Sequence, residues 1–115
     1  METTPRFLRG VYGFTGTGLA SPTPLGHGMT YTVASDKRAQ MIYFRAGNSA
    51  DALIAVTLTL DGKPFRLFPV GAKAAAHVPL AVVEDLQPDS KLELLVAAPA
   101  GVSGEIAVEL GFIEI

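Results

Sequence analysis

At 115 residues and 12.0 kDa, the chain is one domain long, enough to bury about two thirds of its unfolded surface around a single core and too short for a second. Hydrophobic residues at 49% against charged residues at 17% exclude intrinsic disorder. Nine Lys and Arg against eleven Asp and Glu, a net charge of −2, exclude the dense cationic surface that phosphate-driven nucleic-acid binding needs.

Residues 1–28 are expected to form an N-terminal arm or long loop. Gly10, Gly13, Gly16, Gly18, Gly26 and Gly28, together with Pro22 and Pro24, are a density of turn formers that works against helix and long strand alike. Arg6 and Arg9 precede no apolar run of secretory type, so no export is expected. No stretch reaches the ~20 apolar residues of a membrane span. With no cysteine there is neither a disulfide framework nor a thiolate metal site. The cytoplasm is the expected compartment.

From residue 29 to 115 short apolar segments alternate with period two and are separated by Gly, Pro, Asn and Asp, the pattern of an all-β fold. The expected architecture is a single antiparallel β-sandwich, immunoglobulin-like or jelly-roll, of about seven or eight strands. Met29–Ala34 alternates cleanly. Gln40–Ala46 is expected to point Ile42 and Phe44 one way and Met41, Tyr43 and Arg45 the other. Ala52–Leu60 and Pro64–Val70 flank Asp61-Gly62, a dipeptide suited to the positive φ angles of a tight hairpin. Gly71–Ala76 reads as a short helical turn or a loop. Val78–Val83 is a strand whose Pro79 places it at an edge, and Leu86–Ser90 is a corner entering strand Lys91–Ala97. In Glu105–Ile115 the apolar phase passes from Ile106, Val108 and Leu110 to Ile113 and Ile115. A bulge at Gly111 accounts for the shift and would send Glu105, Glu109 and Glu114 to the polar side.

Motifs that carry chemistry are weak. Gly16-Thr17-Gly18-Leu19-Ala20-Ser21 lacks the third glycine, the preceding strand and the following helix of a dinucleotide fingerprint. Gly71-Ala72-Lys73 lacks the remainder of a phosphate-binding loop. His27 and His77 with Met29 and Met41 could be imagined as a copper site, but the spacing fits packed methionines better, so no metal and no cofactor is expected. Gly101-Val102-Ser103-Gly104 misses a nucleophile elbow. Glu105 and Glu109 on one strand stand ~13 Å apart, too far for paired-carboxylate glycoside hydrolysis.

Two function classes remain. Met41, Tyr43, Leu53, Ala55 and Leu95 put apolar side chains on second faces of strands, a surface monomers seldom expose. The leading expectation is therefore a non-enzymatic module that self-associates through apolar sheet faces, a homo-oligomer open to a protein partner. The alternative is a small-ligand binder, for a sugar or an anion. Arg45 and Arg66 lie on otherwise apolar strands where a charge needs a partner or water, and with Asn48, Asp51 and His77 they form a candidate ligand set. A salt bridge from Arg45 to Asp51 across the Gly47-Asn48-Ser49 turn is the structural use of the same residues. A catalytic role comes third and would need a site assembled between subunits.

Overall fold

A computed structural model describes residues 3–26, 29–80 and 85–115. Over these residues the chain is all-β, with ten strands: β1 (Thr4–Thr15), β2 (Thr23–Pro24), β3 (Thr30–Thr32), β4 (Ala39–Asn48), β5 (Ile54–Leu60), β6 (Lys63–Val70), β7 (Ala75–Pro79), β8 (Asp85–Leu86), β9 (Lys91–Ala97) and β10 (Ser103–Glu114). Three of them, β2, β3 and β8, are only two or three residues long. The first sheet runs β1-β10-β4-β7 with β8 also on β4; the second runs β2-β9-β5-β6 with β3 also on β9. All pairings are antiparallel, and the two sheets pack face to face as the expected sandwich.

The core lies between the sheets. Ile54, Val56 and Leu58 of β5 and Leu92, Leu94 and Val96 of β9 are buried against Phe44 of β4 and Ile106, Val108, Leu110 and Phe112 of β10. The rings of Phe44 and Phe68, one from each sheet, stack with centroids 4.0 Å apart. Tyr31 of β3 meets Phe112 of β10 at 4.5 Å. The Asp61-Gly62 hairpin forms as read, with φ of 52° and 83°, and Pro79 lies on an edge strand.

Four local expectations are corrected. The N-terminal segment is not an arm throughout: Thr4–Thr15 is a long strand paired with β10 along its whole length. Its glycines are strand positions, and at Gly10 the missing side chain makes room for the Tyr12 ring, which a Cβ would approach to 2.8 Å. Only after Thr15 does the chain leave this sheet, crossing to the second where Leu25 is buried. Of the two alternatives for Gly71–Ala76, residues 71–74 form a non-helical turn, and β7 starts at Ala75; the end of the expected strand Val78–Val83, like His27, lies outside the described residues.

The bulge falls opposite Gly111 but on the other strand. β10 keeps its phase, with Ile106, Val108, Leu110, Phe112 and Glu114 all facing inward. The extra residue is Ile42, skipped where the register passes from Gly111↔Tyr43 to Phe112↔Met41. Met41 and Phe44 therefore share the buried face, and Ile42 is exposed. Glu114 is consequently buried rather than solvated. Its carboxylate accepts a hydrogen bond from Arg6 Nε at 2.7 Å and another from the Tyr31 hydroxyl, tying β1, β10 and the second sheet together at one end of the sandwich.

Candidate functional site

Strand register builds the site. On the outer face of the first sheet Arg9 stands opposite Glu109, Glu109 opposite Arg45, and Arg45 opposite His77. Two residues along every strand, Val11 stands opposite Ala107, Ala107 opposite Gly47, and Gly47 opposite Ala75. Side chains alternate across a strand, so each strand contributes one polar or charged residue and one small or aliphatic residue to the same face. The result is a charged row beside a row of minimal side chains, each crossing four strands, or roughly 14 Å at a strand spacing of ~4.8 Å.

The small row is the floor of a trough. On one side, a hollow of about 660 Å³ is lined by Arg9, Glu109, Arg45 and His77 above Ala107, Gly47 and Ala75. On the other, a hollow of about 450 Å³ shares Val11, Ala107, Gly47 and Ala75 and is bounded by Ser49, Lys73 and Glu105. The floor is open as well as small: a Cβ built on Gly47 meets nothing within 4 Å.

The charged wall is held by its own contacts. Arg45 Nε donates to Glu109 Oε1 at 2.7 Å, and Arg9 Nη1 donates to Oε2 at 3.4 Å. The Arg45 guanidinium lies over the Tyr43 ring, 5.3 Å from its centroid, and His77 meets that ring edge-on at 5.9 Å. Hydrogen bonding to Arg45, with help from Tyr43 and Arg9, holds the Glu109 carboxyl below the usual carboxylate range. The same pairing with Glu109 raises Arg45, and burial, then the bond to Glu109, raises the Tyr43 phenol. The wall therefore offers fixed charges and an ordered aromatic edge.

Of the sequence-derived ligand set, the fold brings together Arg45 and His77. Arg45 pairs with Glu109 and not with Asp51, which meets Lys73 at 3.1 Å on the neighbouring loop. The Asn48 side chain points inward and staples the turn: Nδ2 donates to the Ala52 and Gly71 carbonyls at 2.9 and 3.1 Å, and Oδ1 accepts from Ala50 N at 2.9 Å. Arg66 belongs to the second sheet, where its guanidinium stacks over Phe65 at 4.5 Å. Arg9, Gly47, Ala75, Ala107 and Glu109 were missed as a site. The signal available was a polar residue two positions from a small or aliphatic one on four separate strands, which acquires meaning only once the register is known.

The apolar set also divides. Met41 is in the core, and Tyr43 lies on the trough face. Ala55 and Leu95 lie on the outer face of the second sheet, with exposed Leu53 just ahead of β5; there Leu67, Thr57 and Leu95 form one row and Pro69, Ala55 and Ala97 the next. Among the described residues no three His, Cys, Asp or Glu side chains come together to hold a metal.

No family model matches the chain, and no curated protein matches it in sequence. Solved structures do match in shape. One is the CBM36-1 domain of a multidomain xylanase from the hindgut metagenome of Trinervitermes trinervoides, with TM-score 0.57, 14% identity and 96% of each chain covered. A second is a family 35 carbohydrate binding module from Clostridium thermocellum, with TM-score 0.51, 12% identity, and 95% of this chain and 97% of that one covered. A third is a chain of infectious bursal disease virus, Gt strain, with TM-score 0.51, 12% identity, and 97% of this chain but 32% of that one covered. At such identities the likeness establishes the β-sandwich fold.

Proposed function

We propose that the chain is a non-catalytic binding module that holds a short saccharide in the trough on the outer face of the first sheet. The observation that carries this reading is the trough itself, a floor of Gly47, Ala75 and Ala107 between two polar walls. A sugar ring has apolar C–H faces and a polar rim of hydroxyls. The floor accepts the faces, while Arg45, Glu109, His77, Lys73 and Glu105 present charged and hydrogen-bonding groups to the rim. Cations and carboxylates alternate along the walls, which suits a neutral ligand. The two carbohydrate-binding modules among the structural neighbours support the class of ligand by analogy of fold.

Binding without turnover follows from the carboxylates. Glu109 is held ionised by Arg45 and Arg9 and so has no proton to donate near neutrality. Glu105, on the opposite wall, is four residues away on the same extended strand, ~13 Å along it, beyond the separation that glycoside hydrolysis uses.

The test is titration of the protein with a panel of neutral pentose and hexose oligosaccharides, read by calorimetry and by amide NMR. Shifts are expected to cluster at residues 45–47, 75–77 and 107–109. Gly47→Leu places a side chain on the floor at a position where a Cβ meets nothing within 4 Å, and is expected to weaken binding at least about tenfold with the melting temperature held or raised. Absence of binding across the panel, or wild-type affinity in Gly47→Leu, overturns the reading. Assembly through an apolar sheet face is a second reading, favoured by the exposure of Leu53 and Leu67 on the second sheet; Leu53→Asp is expected to dissociate such an assembly.

A further inference from the structure

We propose that β1 is a self-pairing edge, through which two copies of this chain join antiparallel about a two-fold axis at Val11 and fuse their troughs into one. The inference rests on the hydrogen-bonding capacity of the strand and is independent of what the trough binds.

β1 is twelve residues long and ends the first sheet; among the described residues no strand pairs with its outer edge. The direction of its free groups follows from the ladder. Gly16 N donates to the Val102 carbonyl, one step past the Thr15↔Ser103 pair. Antiparallel alternation then assigns the even-numbered residues of β1 to β10 and turns the backbone N–H and C=O of Phe7, Arg9, Val11 and Gly13 outward. Pro5 agrees with this assignment, since it occupies an outward position where no N–H is required by β10.

Edges are usually blunted by shortness, bulges, prolines or free charge. The other outer strands have such guards: β2, β3 and β8 are only two or three residues long, β6 carries Lys63, Pro64 and Pro69, and β7 has five residues ending at Pro79. β1 pairs with β10 without a register shift, and its one proline is at the start. Its two cations are drawn back toward β10, Arg6 to Glu114 and Arg9 to Glu109. The exposed apolar side chains on this edge are Phe7 at 45% and Val11 at 66%.

A partner of β1 must place outward residues opposite outward residues, which leaves few registers. Centring on Arg9 sets like charges opposite each other. Centring on Val11 pairs Val11 of one copy with Val11 of the other, removing the most exposed of these side chains from water, and sets Arg9 opposite Gly13, where there is no side chain to oppose it. In that register the floor row runs without interruption through Ala75, Gly47, Ala107 and Val11 of one copy into Val11, Ala107, Gly47 and Ala75 of the next. The trough then spans eight strands and doubles in length.

Sedimentation velocity and native mass spectrometry of the full chain over a concentration series test this. Wild type is expected to form dimers. Val11→Lys sets like charges on the axis and is expected to raise the dimer dissociation constant at least about a hundredfold, with the circular dichroism spectrum unchanged. Because the chain has no cysteine, Val11→Cys gives an independent readout: opposed Cα atoms in such a pair lie ~5.5 Å apart, so a short bis-maleimide linker should yield a covalent dimer. Leu67→Lys, on the opposite sheet, should leave the dimer intact. A monomeric wild type overturns the proposal; so does a dimer that survives Val11→Lys, one that Leu67→Lys dissociates, or a Val11→Cys protein that the bis-maleimide leaves uncross-linked.

Discussion

Glu114 concentrates several physical effects in one carboxylate. It is buried at the end of the sandwich, and hydrogen bonds from Tyr31 and then Arg6 hold it below the usual carboxylate range. A group whose folded-state pKa is depressed contributes stability that is fully present above its unfolded value, about 4.3 for Glu, and is lost as pH falls through the folded value. Urea midpoints are therefore expected to be flat above pH ~5 and to fall below it. Glu114→Gln keeps the shape but discards the charge. It is expected to cost about 1–2 kcal/mol at pH 7 and to flatten the acid limb of the profile; equal acid sensitivity in the two proteins would assign that limb to other carboxylates. Asn48 shows the same economy without charge. A residue that resembles a ligand donor in the sequence has its amide spent on holding a turn.

Between elements, the bulge at Ile42 and the glycine opposite it act as one device. The bulge rotates Tyr43 out of the core phase, and the ring comes to rest over Gly111, where a Cβ would lie 2.3 Å from Tyr43 Cε1. Gly111→Ala is expected to destabilise the fold by about 1–3 kcal/mol and to displace the ring that orders Arg45 and His77. In a Tyr43→Ala background the same change should cost little, so a double-mutant cycle measured by urea unfolding should show strong coupling; additive costs would mean that the ring does not rest there. This device also explains what could be read in the sequence. Alternation and turn residues made the sandwich, the Asp61-Gly62 hairpin and the edge position of Pro79 legible, because those signals are local. An irregularity near Gly111 was visible, but both strands of a pair fit the same break in phase, and placing the extra residue requires the pairing itself. β1 was hidden by Gly10 and Gly13, which are strand positions and not turns; Gly10 makes room for the Tyr12 ring. Arg45 and His77 could be singled out as polar residues on apolar strands. Glu109 read as solvent-facing, because its partners Arg9 and Arg45 lie 100 and 64 residues away in the chain.

For the whole molecule, the dominant pairing is between the first strand and the last. Thr4 stands opposite Glu114 at one end of that ladder and Thr15 opposite Ser103 at the other, so both ends of the described chain emerge side by side. This has a mechanical consequence. Tension applied between Thr3 and Ile115 pulls the two strands apart from one end, loading the hydrogen bonds in succession, as in opening a zipper. Tension between Thr3 and Gly101 drags the same strands lengthwise past each other and loads every bond together. Single-molecule pulling is expected to release β1 at markedly lower force in the first geometry than in the second, and equal forces would show that resistance lies elsewhere in the sandwich. A load through its two ends therefore peels away the strand that forms one end of the trough before the core between the sheets yields.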